Sequence, residues 1–461
     1  MARYFWMVAC LFLLALPACD GKGGGGTNDS VANEFKLDET GDTVLTFLMW
    51  GTPEEKSSVY AVLKEFQKQQ DAKGDHIGLK VISVDSLNYS DKLQTMFAGG
   101  TYPDVFYLHI QDFFKYASKG NLAALDDYVK EPDFNVGDFY PALMEKFTFE
   151  GTLYGVPKDW TSFVLYYNMD MFDKAGLSYP DDTWTWEDFL NAAKKLTVDY
   201  NGDKKIDQYG FIIETWADWY NSWIMQNDGM IFDDKGNWVF SRGANVDKNA
   251  KAIQYVADLI NVVGVAPSID QSKQLGGGEA FMSGRVAMCM YGRWQMLKFK
   301  KIKDFKWGYA VLPQNVKKAA TVVAVSLAIA EQSPNKDAAW KLLKFITSFE
   351  GQIYTAEAGL AVPSRISLVE SDHYLKAPEV IKYQPHLAMN SSKEDPFIIE
   401  LAYGKFAPAN AYWLEVRQKM DEQFDEVFLG KQQAKDVILR LDKIINDIIE
   451  PQAIENVEVS E

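Results

Sequence analysis

The chain has 461 residues, of which 47% are hydrophobic and 24% charged, and its formal net charge at pH 7 is −17. This length predicts two globular domains, and the acidic balance excludes nucleic acid and anionic lipid surfaces as main partners. Aromatic residues make up 14% of the chain and include 13 tryptophans, so we expect a use for aromatic rings beyond core packing.

The N-terminus has the outline of a secretory signal over residues 1–18, with one cation, Arg3, followed by an apolar run. This run is too short to span a bilayer as a stable helix. The sequence LPAC that ends at Cys19 resembles the bacterial lipobox, which implies a lipidated Cys19 and a flexible glycine-rich tether over 19–40. The alternative is ordinary signal cleavage that leaves Cys19 unmodified.

The first folded segments alternate between strand and helix. The apolar runs predict strands, and apolar residues at helical spacing predict helices, the first with an N-cap at Thr52 and a capping-box Glu55. The strands are 44–50, 79–84 and 103–108, and the helices extend from Thr52 through Phe66 and over 89–100. This order predicts a parallel sheet. Ligands bind beyond the carboxyl ends of such strands, which points to Trp50–Glu54 and Tyr107–Asp112.

Further along the chain, the spacing predicts helices that begin near Thr185 and span 252–264 and 335–352, and a buried strand at 321–330. Cys289 stands alone in an apolar run, which favours a buried, unpaired thiol. No second apolar run approaches membrane-spanning length.

The motifs of common enzyme classes are absent from the sequence: there is no nucleophile elbow, phosphate loop, dinucleotide fingerprint or HExxH pair. The four histidines are too scattered to indicate a metal site. Acidic residues are so abundant that spacing does not decide whether two of them form a glycosidase pair. The sequence therefore predicts a protein without catalysis and without a required cofactor.

The stretch DYNGDKKIDQYG (199–210) is the one hint of a metal. It places side-chain oxygens at alternate positions, as in a calcium loop, but it lacks the glycine and the bidentate glutamate of an EF-hand. The ligands would be Asp199, Asn201, Asp203, Asp207 and the carbonyl of Lys205. The two interpretations are a structural calcium ion and a polar Asx-rich turn.

Several blocks, taken in order, resemble the substrate-binding proteins of bacterial carbohydrate ABC importers, the group that includes maltose-binding protein. They cover most of the span 44–365. The blocks are PDVFYL, ASKGNLAALD, GTLYGVPKDWTSFVLYYNMDMFDKAGL, TWTWEDFLNAAKKLT, AFMSGRVAMCMYGRWQM, WGYAVLPQ, SPNKDAAWKLLKFITSFEGQ and GLAVPSR. A shorter match, ANAYWLEV, follows at 409–416.

The resemblance implies an α/β, two-lobed periplasmic-binding-protein-like fold of type II, with a ligand cleft between the lobes. The chain would cross between the lobes three times, near 158–162, 321–326 and 360–365. The N-terminal lobe would hold 41–158 plus 326–360, and the C-terminal lobe 159–325 plus 361–461.

A sugar offers an apolar ring face and a hydroxyl edge, so its site needs aromatic platforms and polar side chains. By resemblance, the predicted ligand residues are Trp50, Glu54, Gln111, Asp112, Asp159, Trp160, Trp216, Trp219, Trp294, Trp413 and Arg365. For the tryptophans the alternative is core packing, for Gln111 and Asp112 a solvated turn, and for Arg365 a salt bridge.

The implied function is that of a lipid-anchored, monomeric receptor that captures a carbohydrate, an oligosaccharide, by cleft closure and delivers it to an ABC permease. The protein would contact the inner (cytoplasmic) membrane only through its anchor and face the periplasm or exterior. Asp20, after the cysteine, suggests inner-membrane retention by resemblance to Gram-negative lipoproteins. The alternatives are a secreted glycoside hydrolase and a polyamine or peptide receptor on the same fold.

Overall fold

A computed structural model of the protein describes residues 35–458 without 234, 235 and 409. The predicted signal over 1–18, Cys19 and the tether up to residue 34 lie outside the described residues. From Leu37 onward the chain forms one compact unit. Among the described residues, no helix is long and apolar enough to cross a membrane.

The strands, numbered in chain order, are short and mostly buried. They are β1 (Thr43–Trp50), β2 (Ile77–Val84), β3 (Val105–His109), β4 (Thr148–Phe149), β5 (Thr152–Leu153), β6 (Val156–Ser162), β7 (Val164–Asn168), β8 (Tyr209–Phe211), β9 (Val286–Tyr291), β10 (Trp307–Ala310), β11 (Thr321–Ile329), β12 (Val362–Pro363) and β13 (Lys405–Phe406).

Two main sheets organise these strands. The larger has the order β12-β6-β11-β3-β1-β2, with β13 paired to β11, and the smaller has the order β10-β7-β9-β8. The chain passes from the larger sheet to the smaller at Phe163, between β6 and β7, and returns between β10 and β11. The predicted crossings fall on β6, β11 and β12, which lie side by side, so the two-lobed α/β fold is confirmed. The lobe boundaries themselves stay a prediction.

The helices pack around both sheets. They are α1 (Pro53–Ala72), α2 (Tyr89–Ala98), α3 (Ile110–Ala117), α4 (Pro141–Lys146), α5 (Met169–Ala175), α6 (Trp186–Lys195), α7 (Ala217–Gln226), α8 (Asn245–Asn261), α9 (Ile269–Leu275), α10 (Gly277–Met282), α11 (Met296–Phe299), α12 (Lys336–Ile346), α13 (Phe349–Ala358), α14 (Ile366–Val369), α15 (Asp372–Leu375), α16 (Pro378–Ile381), α17 (Pro396–Leu401), α18 (Trp413–Phe428) and α19 (Ala434–Glu458).

Local sequence signals explain several helix ends. Thr52 caps α1 with Glu55 as its capping-box partner, and Thr185 caps α6. The single helix predicted over 335–352 is wrong, because Ser348 accepts a hydrogen bond from the backbone N–H of Gly351 and begins a second helix, α13. The β1–β2 and β1–β3 pairs are parallel, as predicted.

The buried apolar side chains form two clusters. One covers the larger sheet and reaches the smaller through residues such as Tyr166 and Trp307, and it includes the unpaired Cys289. The other contains Trp219, Trp223 and much of α8, α18 and α19. Trp223 is a core residue.

Candidate functional site

The carboxyl ends of β1 and β3 bring two predicted site segments together. The indole of Trp50 stacks on the imidazole of His109 with ring centroids 4.1 Å apart, and its edges meet Tyr89 and Tyr107. Burial lowers the pKa of His109 to about 4, because a desolvated site disfavours the charged ring. The imidazole is therefore neutral at pH 7 and offers a polar edge beside a half-exposed indole.

Helix α3 begins at this edge and reaches the helices of the smaller sheet. The Gln111 amide donates a hydrogen bond to Asp218 Oδ2 at 3.1 Å, and Arg417 Nη1 lies 3.3 Å from the same oxygen. Burial raises the pKa of Asp218, while Arg417 and Gln111 act in the opposite direction. Asp112 accepts a hydrogen bond from the Ser90 hydroxyl at 2.8 Å. One polar cluster thus joins residues from both sides of the fold.

Four buried polar atoms in this cluster have no hydrogen-bond partner among the described residues: Gln111 Oε1, Asp112 Oδ1, Asp218 Oδ1 and His109 Nδ1. Each unsatisfied buried group costs about 1–3 kcal/mol. Three of the four are pure acceptors, so the arrangement fits a ligand that presents several hydrogen-bond donors, as neighbouring hydroxyl groups do.

Two more half-exposed tryptophans pack against Phe163, the residue between β6 and β7. The ring centroid of Trp216 is 5.4 Å and that of Trp294 5.8 Å from the Phe163 ring. Glu214 accepts hydrogen bonds from the side chains of Trp216 and Tyr291. Together with Trp50, these indoles have the partial exposure that a stacking platform needs.

The other predicted tryptophans are core residues. Trp160, Trp219 and Trp413 are almost fully buried. The Trp219 indole N–H is used by the Met290 carbonyl at 2.9 Å, and Trp413 packs edge-on against Phe232. A ring enclosed on both faces offers no platform to a ligand, so we remove all three from the candidate set.

Two predicted acidic residues already have ionic partners. Asp159 is buried and paired with Lys158, whose ammonium lies 4.8 Å from the centre of the Tyr107 ring. Glu54 lies 3.0 Å from Lys301. This second pair links the start of α1, beside the larger sheet, to Lys301, the second residue after α11.

Arg365 is a structural residue rather than a ligand contact. Its guanidinium donates to the carbonyls of Thr347 at 2.6 Å and Phe134 at 3.0 Å, and it pairs with Asp138 at 3.3 Å. Its ring contact is with Phe139, at 4.3 Å. These contacts match the salt-bridge alternative, and we remove Arg365 from the site as well.

The loop predicted to bind calcium forms a run of Asx turns. Asp199 accepts backbone N–H groups from Gly202 and Lys204, both at 2.8 Å. Asn201 and Asp203 each accept the backbone N–H two positions on. Within the described part of the chain, no three His, Cys, Asp or Glu side chains group to hold a metal ion. Calcium binding stays a prediction that this geometry does not support.

Sequence reasoning missed Asp218 and Arg417, and it included His109 only within the range Tyr107–Asp112 without naming it as a site residue. Asp218 stands inside the tryptophan-rich stretch TWADWYNSW, and Arg417 follows Trp413 by one helical turn. The sequence signal that could have indicated them is an ionisable side chain within a run of closely spaced aromatic residues. Their meeting depends on residues 199 positions apart, which no local pattern reveals.

Comparisons with known proteins identify the family and the fold of the chain. The sequence matches the family described as bacterial extracellular solute-binding protein over residues 61–382. It is 24% identical over 360 residues to the arabinooligosaccharide-binding protein of Bacillus subtilis (strain 168), covering 76% of this chain and 77% of that protein. It is 26% identical over 316 residues to the lactose-binding protein of Rhizobium radiobacter, covering 64% of this chain and 69% of that protein.

Solved structures show the same fold. An ABC substrate-binding protein from Listeria monocytogenes in complex with cycloalternan superposes with a TM-score of 0.77 at 26% identity, covering 88% of this chain and 98% of that one. Maltose-bound MalE3 from T. maritima superposes with a TM-score of 0.72 at 21% identity, covering 88% of this chain and 100% of that one.

Proposed function

The chain belongs to the bacterial extracellular solute-binding proteins, and from this premise we propose that it captures an oligosaccharide and delivers it to the permease of an ABC importer. The observation that carries the proposal is that half-exposed tryptophans accompany buried acceptor atoms that lack partners: Trp50 stacks on His109, two positions before Gln111, and Trp216 lies two positions before Asp218. Relatives named for arabinooligosaccharide and lactose binding support the choice of carbohydrate.

The chemistry of the site suits a sugar. The indoles of Trp50, Trp216 and Trp294 are flat apolar surfaces of the kind that a sugar ring's C–H face stacks on. The acceptors of Gln111 and Asp218 suit the hydroxyl groups at the ring edge. Several indoles along one site favour a ligand of more than one ring. No covalent step is needed, so the protein acts by binding alone.

Contacts between the two sides of the fold support the proposal that the protein closes around its ligand. The Gln111–Asp218 hydrogen bond and the Glu54–Lys301 ion pair each join a residue beside the larger sheet to one beside the smaller. A ligand that contacts both sides binds the closed state more tightly, and it shifts the equilibrium by that difference in affinity. The permease would then recognise the closed form.

The first experiment is thermal unfolding of residues 27–461 with a panel of oligosaccharides, uronates, polyamines and peptides. A ligand at a hundred times its Kd adds about 2.7 kcal/mol to the free energy of unfolding. We expect a clear rise in Tm with one oligosaccharide and no product by chromatography. Product formation would indicate a glycoside hydrolase. A rise only with polyamines or peptides would leave the fold standing and refute the carbohydrate assignment.

We further propose that Cys19 carries the lipid anchor that keeps this receptor near its permease, which raises its effective concentration there. Cys19→Ala should move the full-length protein from the membrane fraction to the soluble fraction. Cys289→Ala is the control, because that thiol is buried in the core and should leave the fractionation unchanged. Equal membrane retention of both variants would refute the anchor.

A further inference from the structure

The short turn after β9 sets the position of Trp294. Residues Arg293–Gln295 form one turn of 3-10 helix. The Trp294 indole folds back over Gly292 so closely that a Cβ atom there would lie 2.1 Å from the ring. The indole also meets Phe163 edge-on. Any change in the backbone of this turn therefore moves the indole.

Arg293, the neighbour of Trp294, is enclosed by the C-terminal part of the chain. Its side chain is 2% exposed, and its guanidinium lies 4.3 Å from the centre of the Tyr374 ring and 5.6 Å from that of Phe397. Nη1 is 3.6 Å from Oδ2 of Asp395, which is fully buried. Burying both charges has a desolvation cost that an apolar pair of the same size would avoid.

Asp395, the ionic partner of Arg293, is held in a defined position. Asp395 accepts a hydrogen bond from the Tyr374 hydroxyl, and another from the backbone N–H of Phe397 at 3.0 Å as the N-cap of α17. The N-terminus of α17 and Tyr374 thus hold the Asp395 carboxylate in place independently of the guanidinium. This rigidity suits a pair whose use is to hold the arginine in one place.

The backbone of the same turn is tied to β6 and β7. The Arg293 N–H donates to Thr161 Oγ1 at 3.0 Å, and the Gly292 carbonyl accepts from the Tyr166 hydroxyl at 3.3 Å. Ser162, next in β6, donates to the Phe397 carbonyl at 3.2 Å. The turn, the strand and α17 are therefore joined pairwise, and the arginine side chain forms one of the three links.

We propose that Arg293 is a positioning residue for the ligand: through Asp395 and Tyr374 it holds the turn so that Trp294 presents its indole to a sugar ring. The inference rests on the proposed carbohydrate function. An indole fixed before the ligand arrives loses less conformational entropy on binding, so the fixed turn raises affinity without touching the ligand.

Arg365 provides a matched control. It too is buried, lies 4.3 Å from an aromatic ring centre and pairs with a carboxylate, that of Asp138. Its contacts are with the segment around Phe134 and with Thr347, and none of them is with the Trp294 turn. Losing either arginine leaves its carboxylate without an ionic partner, fully buried Asp395 in one case and Asp138, with 13% of its side chain exposed, in the other, so both losses should lower stability.

The test compares Arg293→Met, Arg365→Met and the double variant Arg293→Met/Asp395→Asn by calorimetric titration with the oligosaccharide that raises Tm. We expect Arg293→Met to weaken binding by about tenfold or more and Arg365→Met by less than about twofold, although both lower Tm. The double variant should recover Tm because no lone charge remains, while its affinity stays low. Equal losses of affinity in the two single variants, or recovered affinity in the double variant, would overturn the proposal.

A second readout needs no ligand. The contribution of Trp294 to the near-UV circular dichroism is the spectrum of a protein minus the spectrum of the same protein carrying Trp294→Phe. It is obtained in this way for the wild type and for each arginine variant. Arg293→Met and the double variant should change this contribution, and Arg365→Met should preserve it. An unchanged contribution would refute positioning even where carbohydrate binding holds. If no carbohydrate binds the wild type, the proposed function fails, and these spectra still decide whether Arg293 positions the indole.

Discussion

The buried interior and the candidate site both contain several tryptophans, and they use them differently. The core tryptophans Trp160, Trp219 and Trp413 are enclosed, whereas the site tryptophans Trp50, Trp216 and Trp294 keep part of each indole exposed. Since the residue type is the same, composition alone does not separate the two uses. What separates them is whether one ring face stays open beside unpaired polar atoms.

The largest effect that tests this comparison is on stability. Trp219→Ala removes a fully buried ring and leaves the Met290 carbonyl without its donor, so we expect a loss of about 3–5 kcal/mol in the free energy of unfolding. Trp294→Ala, measured beside it by urea denaturation, should lose less than half as much. Equal losses would mean that the site tryptophans are core residues after all.

The comparison between buried and partly exposed side chains also applies to carboxyl groups. Glu400 is fully buried, accepts the Leu312 backbone N–H, and has a pKa raised by burial from 4.5 to about 8. Lys318 and the Tyr403 hydroxyl act on it in the opposite direction. Between these two pKa values the folded state binds more protons than the unfolded state, so stability falls as pH rises.

Glu400→Gln removes this titration. We expect the wild type to lose about 2 kcal/mol between pH 6 and 8 relative to the variant, measured by urea denaturation across that range. A difference between the two proteins that stays constant with pH would show that the carboxyl titrates normally. Glu54→Gln is the control at the rim of the site, because Lys301 lowers the pKa of Glu54 and the group stays ionised throughout.

The third effect is on binding. Trp294→Ala should weaken oligosaccharide binding by about tenfold or more, the typical cost of removing an aromatic anchor. Trp184→Ala is the matched control, because Trp184 is also half-exposed but packs against Phe172 away from the site. If both substitutions weaken binding equally in calorimetry, exposure alone does not mark a platform.

Much of the fold was predictable because its signals are local. The N-cap at Thr52 and the parallel β1, β2 and β3 depend on neighbouring residues and are found as expected. The break between α12 and α13 was missed because the apolar spacing continues through it, while the Ser348 cap interrupts only the backbone. Local periodicity reports which face is apolar and says less about where a helix stops.

The site was predictable only in part, because burial is a long-range property. The sequence shows that Trp413 is aromatic and does not show that Phe232 closes over it. In the same way, Asp218 gains its role from Gln111, 107 positions earlier, and from Arg417, 199 positions later. Residue type limited which side chains could be candidate ligand contacts, and tertiary contacts determine which of those candidates remain exposed or unpaired.

The smallest effect concerns the rim, where the two sides of the fold meet through Glu54 and Lys301. Their side chains are 31% and 52% exposed, so the pair contributes less than about 1 kcal/mol and weakens with salt. If it helps to hold the closed state, Glu54→Gln should weaken oligosaccharide binding by about twofold at low salt and not at all at high salt. A salt-independent loss would instead mark Glu54 as a direct ligand contact.

The pair Glu279–Lys298 is the control for this last prediction. Its atoms are 2.7 Å apart and comparably exposed, but both residues belong to neighbouring short elements, α10 and α11, on one side of the fold. Breaking it with Glu279→Gln removes a similar ion pair without affecting any contact between the sides, so affinity should stay unchanged at every salt concentration. The two ion pairs differ mainly in the elements that they connect. A salt-dependent loss of oligosaccharide affinity in Glu54→Gln, without one in Glu279→Gln, would therefore mean that the loss comes from weaker closure.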